Sequence, residues 1–143
     1  MDLDWVLKLH LATTIYMTGV IWFVQIVHYP LMALVGADNF SVYEESHRRR
    51  TFWVVGPAML VEAISGAWLV RLYGIDTSIG AVLVWLGMLL IFVNLLVTAC
   101  VSVPAHGRLA QGYHPDVLRW LVLTNWIRTT AWTLRSLLVL ALL

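Results

Sequence analysis

The sequence predicts an all-α integral membrane protein, a bundle of four membrane-spanning helices with a short interfacial helix before the second span. The chain of 143 residues is 61% hydrophobic and only 12% charged, and its mean hydropathy is +0.83. The hydrophobic residues form four long stretches, each of which reaches the roughly 20 residues that a membrane-spanning helix needs. None of these stretches carries the continuous polar stripe of a helix in a soluble bundle.

We predict a single transmembrane domain over residues 1–143, with spans at about residues 5–29, 51–73, 79–103 and 117–141. The N-terminus has Lys8 as its only basic residue and lacks the basic region of a cleaved signal peptide, so we expect the first span to remain in the protein. The few basic residues exclude a nucleic-acid-binding surface. The single cysteine excludes an internal disulfide.

The first two spans are separated by a polar connection that predicts one additional helix. Pro30 lacks a backbone donor and should disturb the helix at the end of the first span. Ser41 and Glu44 have the S-x-x-E spacing of a capping box, which predicts that an interfacial helix begins at Ser41 and leads toward the second span. Pro57 should kink the second span, because it frees a backbone carbonyl one turn earlier.

The third and fourth spans are bounded by residues that interrupt or start helices. Gly74 and Asp76 predict a short turn before the third span. Pro104 is expected to end the third span. Pro115 fits the first turn of the fourth span, where a missing backbone donor has little effect on the helix.

The basic residues that flank the spans predict the orientation of the chain. The side that holds the two longer connections has five of them, Arg48, Arg49, Arg50, Arg108 and Arg119. The opposite side has Lys8 and Arg71. Connections rich in lysine and arginine remain in the cytoplasm. We therefore predict a multi-pass protein of the cell inner membrane with both termini outside the cytoplasm.

Charged and amide side chains inside the spans form the first candidate site. Arg128 lies well inside the fourth span, where a charge is costly unless it faces protein and has a partner. Glu62, the only acid inside any span, is the predicted partner, and both residues lie at similar depth. Two interpretations remain open, a structural ion pair and a pocket that binds a polar head group. For the pocket we predict Glu62, Arg128 and Asn125 as the catalytic residues.

Histidines and carboxylates near the predicted cytoplasmic side form the second candidate site. Glu44 and His47 are three residues apart, so they share one helical face, as in the metal sites of some helical bundles. Imidazole and carboxylate ligands suit iron, copper, zinc or manganese. The alternative is that these residues bind lipid phosphates and helix ends. The predicted metal ligands are His28, Glu44, Glu45, His47 and His106.

Two histidines of the first span are candidates for binding haem b. His10 and His28 share a helical stripe and should face the bundle interior, where either could be an axial ligand of the iron. The alternative is that each is a core histidine that makes hydrogen bonds.

Several segments distributed along the chain carry a resemblance to a known family. They are His28-Tyr29-Pro30-Leu31-Met32, His47-Arg48-Arg49, Pro57, Glu62, Val103-Pro104 and Asn125-Trp126-Ile127-Arg128-Thr129. Together these segments resemble a family of small four-span bacterial membrane proteins akin to the anthrone-oxygenase-like membrane proteins. This resemblance covers nearly the whole chain and implies a membrane location, but it assigns no catalytic roles to individual positions. The opening Leu7-Lys8-Leu9-His10 with Gly19 also resembles the first span of the small haem-containing protoporphyrinogen oxidase of bacteria.

Two main classes of function agree with these candidate residues. The first is a membrane oxidoreductase that acts on a hydrophobic, aromatic or quinone-like small molecule in a polar pocket near the cytoplasmic leaflet. The second is a non-enzymatic lipid-binding protein or an accessory subunit of a larger membrane complex or homo-oligomer. Eight tryptophans would suit a surface that faces membrane lipids or a partner. A transporter is a third class, although the sequence shows no pair of broken helices in matching positions.

Overall fold

The computed structural model describes residues 3–74 and 78–143, and these residues are helical apart from short connections. We number four helices, α1 (Leu3–Met32), α2 (Ala37–Tyr73), α3 (Ile79–Leu109) and α4 (Pro115–Leu140). The helices α1, α2 and α3 are long and apolar enough to cross a membrane. The prediction of an all-α protein is therefore confirmed for the described residues, and three of the four helices have the length and apolar composition of membrane spans.

Each helix packs against the next one along the chain, and α4 closes the ring by packing against α1. This arrangement is an antiparallel four-helix bundle with short connections. We call the end where residues 33–36 and 110–114 join the helices the connection end, and the opposite end, near both termini, the terminal end. The two ends have separate hydrophobic clusters, one around Tyr29, Phe40 and Leu109 and the other around Val6 and Val139.

Polar side chains are concentrated inside the bundle, and large hydrophobic side chains cover much of its surface. The exposed side chains include Trp53, Leu60, Phe92 and Leu137. A soluble domain rarely exposes so much contiguous apolar surface, whereas a membrane protein places this surface against lipid and uses polar groups between its helices. The buried polar residues include His10, Thr14, Gln25, Glu44, Glu62, Ser65, Asn94, Ser102, Asn125, Arg128, Thr129 and Arg135.

The two prolines near the connection end do not stop their helices. The predicted end of the third span at Pro104 is therefore wrong, whereas the disturbance predicted at Pro30 is confirmed by an irregular turn before it. A turn of π-helix precedes each proline, at Val24–His28 before Pro30 and at Thr98–Ser102 before Pro104. A proline has no backbone N–H to donate to the carbonyl one turn back, and its ring needs extra room there. A widened turn provides that room. The helices consequently continue for several residues, so α1 and α3 extend beyond the predicted span limits at residues 29 and 103.

The predicted interfacial helix is not a separate element, because α2 runs without a break from Ala37 to Tyr73 and contains Pro57. Its N-cap is Gly36, whose φ of 82° favours glycine, so Ser41 lies inside the helix and the capping-box prediction is wrong. The predicted breaker Gly74 does end α2, with a φ of 68°. The breaker predicted at Asp76 lies outside the described residues. Pro115 begins α4 as predicted.

Candidate functional site

The acid inside the second helix pairs with a different arginine from the predicted one. Glu62 forms an ion pair with Arg135, and it also accepts a hydrogen bond of 3.0 Å from Nε1 of Trp132. The predicted Glu62–Arg128 pair is therefore wrong. Arg128 and Arg135 are seven residues apart, which is about two helical turns, so both lie on the same face of α4. Their spacing alone could not tell which of them reaches Glu62.

Arg135 belongs to a network of polar groups toward the terminal end. Its Nη2 donates to Nε2 of His10 over 3.1 Å and lies 3.4 Å from Oγ1 of Thr14. Nδ1 of His10 lies 2.8 Å from Oγ of Ser65. Because Nε2 accepts from the arginine, Nδ1 carries the proton and donates to the serine. Both nitrogens of His10 are thus engaged, which leaves no open position for the axial haem bond expected at this residue.

Arg128 is also buried but has only neutral partners. Its Nη1 donates to Oδ1 of Asn125 over 3.1 Å, and its guanidinium lies 5.2 Å from the ring centre of Trp132. Asn125 is held in turn by Gln25, whose Oε1 accepts from Nδ2 of the asparagine at 2.8 Å. Nε of Arg128 has no partner. No carboxylate of the described chain lies within salt-bridge distance of Arg128, so its charge is not neutralised by those residues.

A cleft of about 680 Å³ lies between α2 and α3, and Arg128 of α4 lines it. Most of its walls are apolar, and several wall residues, such as Phe52, Leu60 and Val103, are also exposed on the outer surface. The cleft therefore opens on the apolar surface of the bundle. Its full lining is His47, Arg48, Thr51, Phe52, Val55, Gly56, Met59, Leu60, Ala63, Leu95, Thr98, Ser102, Val103, His106 and Arg128.

Three imidazoles and one buried carboxylate meet near the connection end, and we call His28, Glu44, His47 and His106 the imidazole cluster. Glu44 is fully buried, and its Oε1 lies 2.6 Å from Nδ1 of His106. The ring of His28 stacks on that of His47 with a centroid distance of 4.4 Å, and the rings of His47 and His106 are 5.2 Å apart. His47 and His106 also line the cleft, so the cluster and the cleft form one site.

The imidazole cluster brings together four of the five predicted metal ligands, but not in a ligating arrangement. The rings of His28 and His47 meet face to face, with planes only 20° apart, so their nitrogens do not converge on one point. Glu45 is exposed and pairs with Arg48, so it is not part of the cluster, and its role as a ligand stays a prediction. Within residues 3–74 and 78–143, no group of three or more histidine, cysteine or acidic residues is placed to hold a metal ion.

Two polar residues of α3 were not among the predicted site residues. Ser102 is buried, its hydroxyl has no partner, and it lines the cleft beside the π-helical turn. Asn94 is buried with neither of its amide atoms bonded. In the sequence, a serine two residues before a proline in an apolar span only weakly indicates a site residue. The direction of its side chain depends on the widened turn that accompanies the proline.

No protein-family model, no curated protein and no solved structure matches this chain. The resemblance to the anthrone-oxygenase-like membrane proteins therefore stays a prediction, as does the resemblance of the first span to the protoporphyrinogen oxidase. The function must be inferred from the cleft, Arg128 and the imidazole cluster.

Proposed function

We propose that α4 is a fourth membrane span and that the protein is a multi-pass protein of the inner membrane. The 26 residues of α4 extend over about 39 Å, more than the roughly 30 Å of a bilayer core. Its exposed side chains through the central part are mainly apolar, as Leu123, Ile127 and Leu134 illustrate, whereas Arg128 and Arg135 are buried. The arginines of the connection end support a cytoplasmic position for that end, with both termini outside.

We propose further that the cleft takes up a hydrophobic small molecule from the membrane, and that the protein acts on it as an oxidoreductase. The observation that carries this proposal is an apolar cleft, open on the bundle surface, whose few polar groups include a buried arginine and two histidines. Such a combination of apolar walls and a small number of polar groups is typical of ligand sites. An aromatic or quinone-like molecule would place its ring between α2 and α3 and its oxygen atoms toward these groups.

The chemistry assigned to this chain is binding and proton transfer. The guanidinium of Arg128 donates hydrogen bonds to a carbonyl or an oxyanion of the bound molecule. The carboxylate of Glu44 accepts a hydrogen bond from Nδ1–H of His106, which leaves the lone pair of Nε2 as a proton acceptor. Oxidation of a quinol to a quinone then releases two protons, the first to Nε2 of His106 and the second to water. Its two electrons pass to a soluble acceptor of the ferricyanide type, two acceptor ions for each quinol. No metal-dependent step is assigned, because the cluster does not converge on a metal position.

A direct test is the oxidation of a short-chain quinol by the purified protein in lipid nanodiscs, with a soluble electron acceptor present. Ala63 lines the cleft, and Ala67 lies one turn later on the exposed side of the same helix. Ala63→Phe should fill the cleft and abolish the oxidation, whereas the matched control Ala67→Phe should retain it. A visible absorption spectrum and a metal analysis of the same sample test for haem and metals. A wild-type rate equal to that of empty nanodiscs would reject the oxidoreductase proposal.

The second candidate function is binding of a lipid-like molecule without chemistry, alone or as a subunit of a larger complex. The uncompensated charge of Arg128 favours it, because that charge requires a bound partner but no reaction. Retention of a ligand that depends on the cleft, together with the absence of quinol oxidation, would support this function over the first.

A further inference from the structure

Two buried arginines on one face of α4 differ in whether a carboxylate of the described chain neutralises their charge. The carboxylate of Glu62 neutralises Arg135, whereas Arg128 contacts an amide and an aromatic ring. An ionised group inside a membrane protein is rare unless it is paired or lines a cavity. Arg128 is only 7% exposed and lines the cleft, so a ligand charge that neutralises it would reach it through the cleft.

We propose, building on the ligand site proposed above, that the cleft binds an amphiphilic carboxylate whose head group pairs with Arg128, as a long-chain fatty acid would. A guanidinium presents two parallel donors that match the two oxygens of a carboxylate. Arg128 and Ser102 both line the cleft, and among the described residues Nε of Arg128 and the hydroxyl of Ser102 have no hydrogen-bond partner. Because the rest of the lining is mainly apolar, it suits a hydrocarbon or aromatic tail.

The depth and size of the cleft favour a carboxylate over the head group of a bilayer phospholipid. Arg128 lies near the middle of α4, about 20 Å from the start of the helix at Pro115. A phospholipid in its normal position keeps its phosphate at the membrane surface, about 15 Å from the bilayer centre. A carboxylate is also a smaller group than a phospholipid head group, so a cleft at this depth accommodates it more easily. The volume of about 680 Å³ is within the range of small-molecule sites.

Spin-labelled stearic acid and its methyl ester provide a matched pair of probes, since they differ only in the charge of the head group. The protein is placed in phosphatidylcholine nanodiscs at alkaline pH, where the acid is ionised, and the immobilised fraction of each probe is measured by electron paramagnetic resonance. We expect the acid to bind the wild type about tenfold more tightly than the ester, the factor that one charged hydrogen bond provides.

Four variants separate the contribution of charge from that of shape. Arg128→Gln should bind acid and ester equally, and Arg128→Lys should retain part of the preference for the acid. Ala63→Phe should reduce binding of both probes, and Ala67→Phe should behave as the wild type. Each variant is first shown to be monodisperse.

Equal binding of acid and ester by the wild type, with both lost in Ala63→Phe, would overturn the carboxylate assignment and leave the ligand cleft intact. Binding of neither probe, or binding unchanged in Ala63→Phe, would overturn both. A labelled phosphatidic acid that outcompetes the stearic acid in the wild type but not in Arg128→Gln would replace the carboxylate by a phosphate.

Discussion

The surroundings of Arg135 and those of Arg128 differ although both residues come from the same face of one helix. Arg135 has a carboxylate, an imidazole and a hydroxyl as its partners. At Arg128 the partners are neutral, and a cleft takes the place of a countercharge. A buried charge that the protein itself neutralises has a structural role, whereas one that it leaves unpaired beside a cleft indicates a ligand. The difference separates the stabilising part of the molecule from the candidate binding part.

The largest effect is expected from breaking the Arg135 network. Glu62→Ala leaves the guanidinium of Arg135 buried without a countercharge, and we expect a loss of about 3–5 kcal/mol in the free energy of unfolding. Thermal unfolding in mild detergent measures it. The double variant Glu62→Ala with Arg135→Met removes both charges and should be more stable than Glu62→Ala alone. If the double variant is no more stable than the single one, the ion pair does not explain the loss.

A smaller loss is expected from crowding the same network without changing a charge. A Cβ atom on Gly66 would lie 2.7 Å from Cδ1 of Ile91 and 3.2 Å from Cε1 of His10. Gly66→Ala should therefore force both side chains to move, at a cost of about 1–3 kcal/mol. Gly87→Ala is the matched control, because a Cβ there meets nothing within 4 Å. Equal melting temperatures for the two variants would show that the packing around His10 is loose.

Removal of the charge of Glu44 tests the imidazole cluster. Glu44→Gln keeps the shape of the side chain and a hydrogen bond to His106, so the free energy of unfolding should change by only about 1 kcal/mol. Quinol oxidation, if the wild type performs it, should slow by roughly a hundredfold, because the imidazole loses the carboxylate that supports proton uptake. Rates and melting temperatures are measured on the same sample. An unaltered rate would remove His106 from the proposed mechanism.

The smallest loss of stability, or a gain, is expected at Arg128. Arg128→Met replaces an unpaired buried charge by an apolar chain of similar length, so the ligand-free protein should be as stable as the wild type or more stable. Arg135→Met is the control, and it should destabilise the protein because it leaves Glu62 buried without a countercharge. Thermal unfolding after thorough delipidation measures both. A strong loss of stability in Arg128→Met would mean that the neutral contacts of Arg128 hold the bundle together.

The helices could be predicted from the sequence much better than the contacts between them. Long apolar stretches predict the spans directly, and Pro115 and Gly74 lie at helix ends as expected. Which of Arg128 and Arg135 pairs with Glu62 depends on how far each helix is shifted along its neighbours. The spacing of residues within one helix gives no information about that shift. The turns of π-helix before Pro30 and Pro104 also escape prediction, since a proline near a helix end can stop the helix or widen it.

The candidate site illustrates the same limit at the level of single residues. Glu44 and Glu45 are adjacent and chemically alike, yet one is fully buried beside His106 and the other is exposed beside Arg48. Which of the two glutamates points toward α3 depends only on how α2 is rotated about its own axis. The grouping of His28, His47 and His106 could be anticipated, because the three residues lie at similar depth on neighbouring helices, but the stacking of their rings could not.

The most direct test of a ligand at Arg128 is mass spectrometry of the intact protein released from gently purified nanodiscs. We predict an adduct that fragments to an amphiphilic carboxylic acid, present in the wild type and in Ala67→Phe, and absent from Arg128→Gln and Ala63→Phe. An adduct-free wild type that also fails to take up added oleate, while remaining monodisperse, would contradict the account and make Arg128 a structural residue.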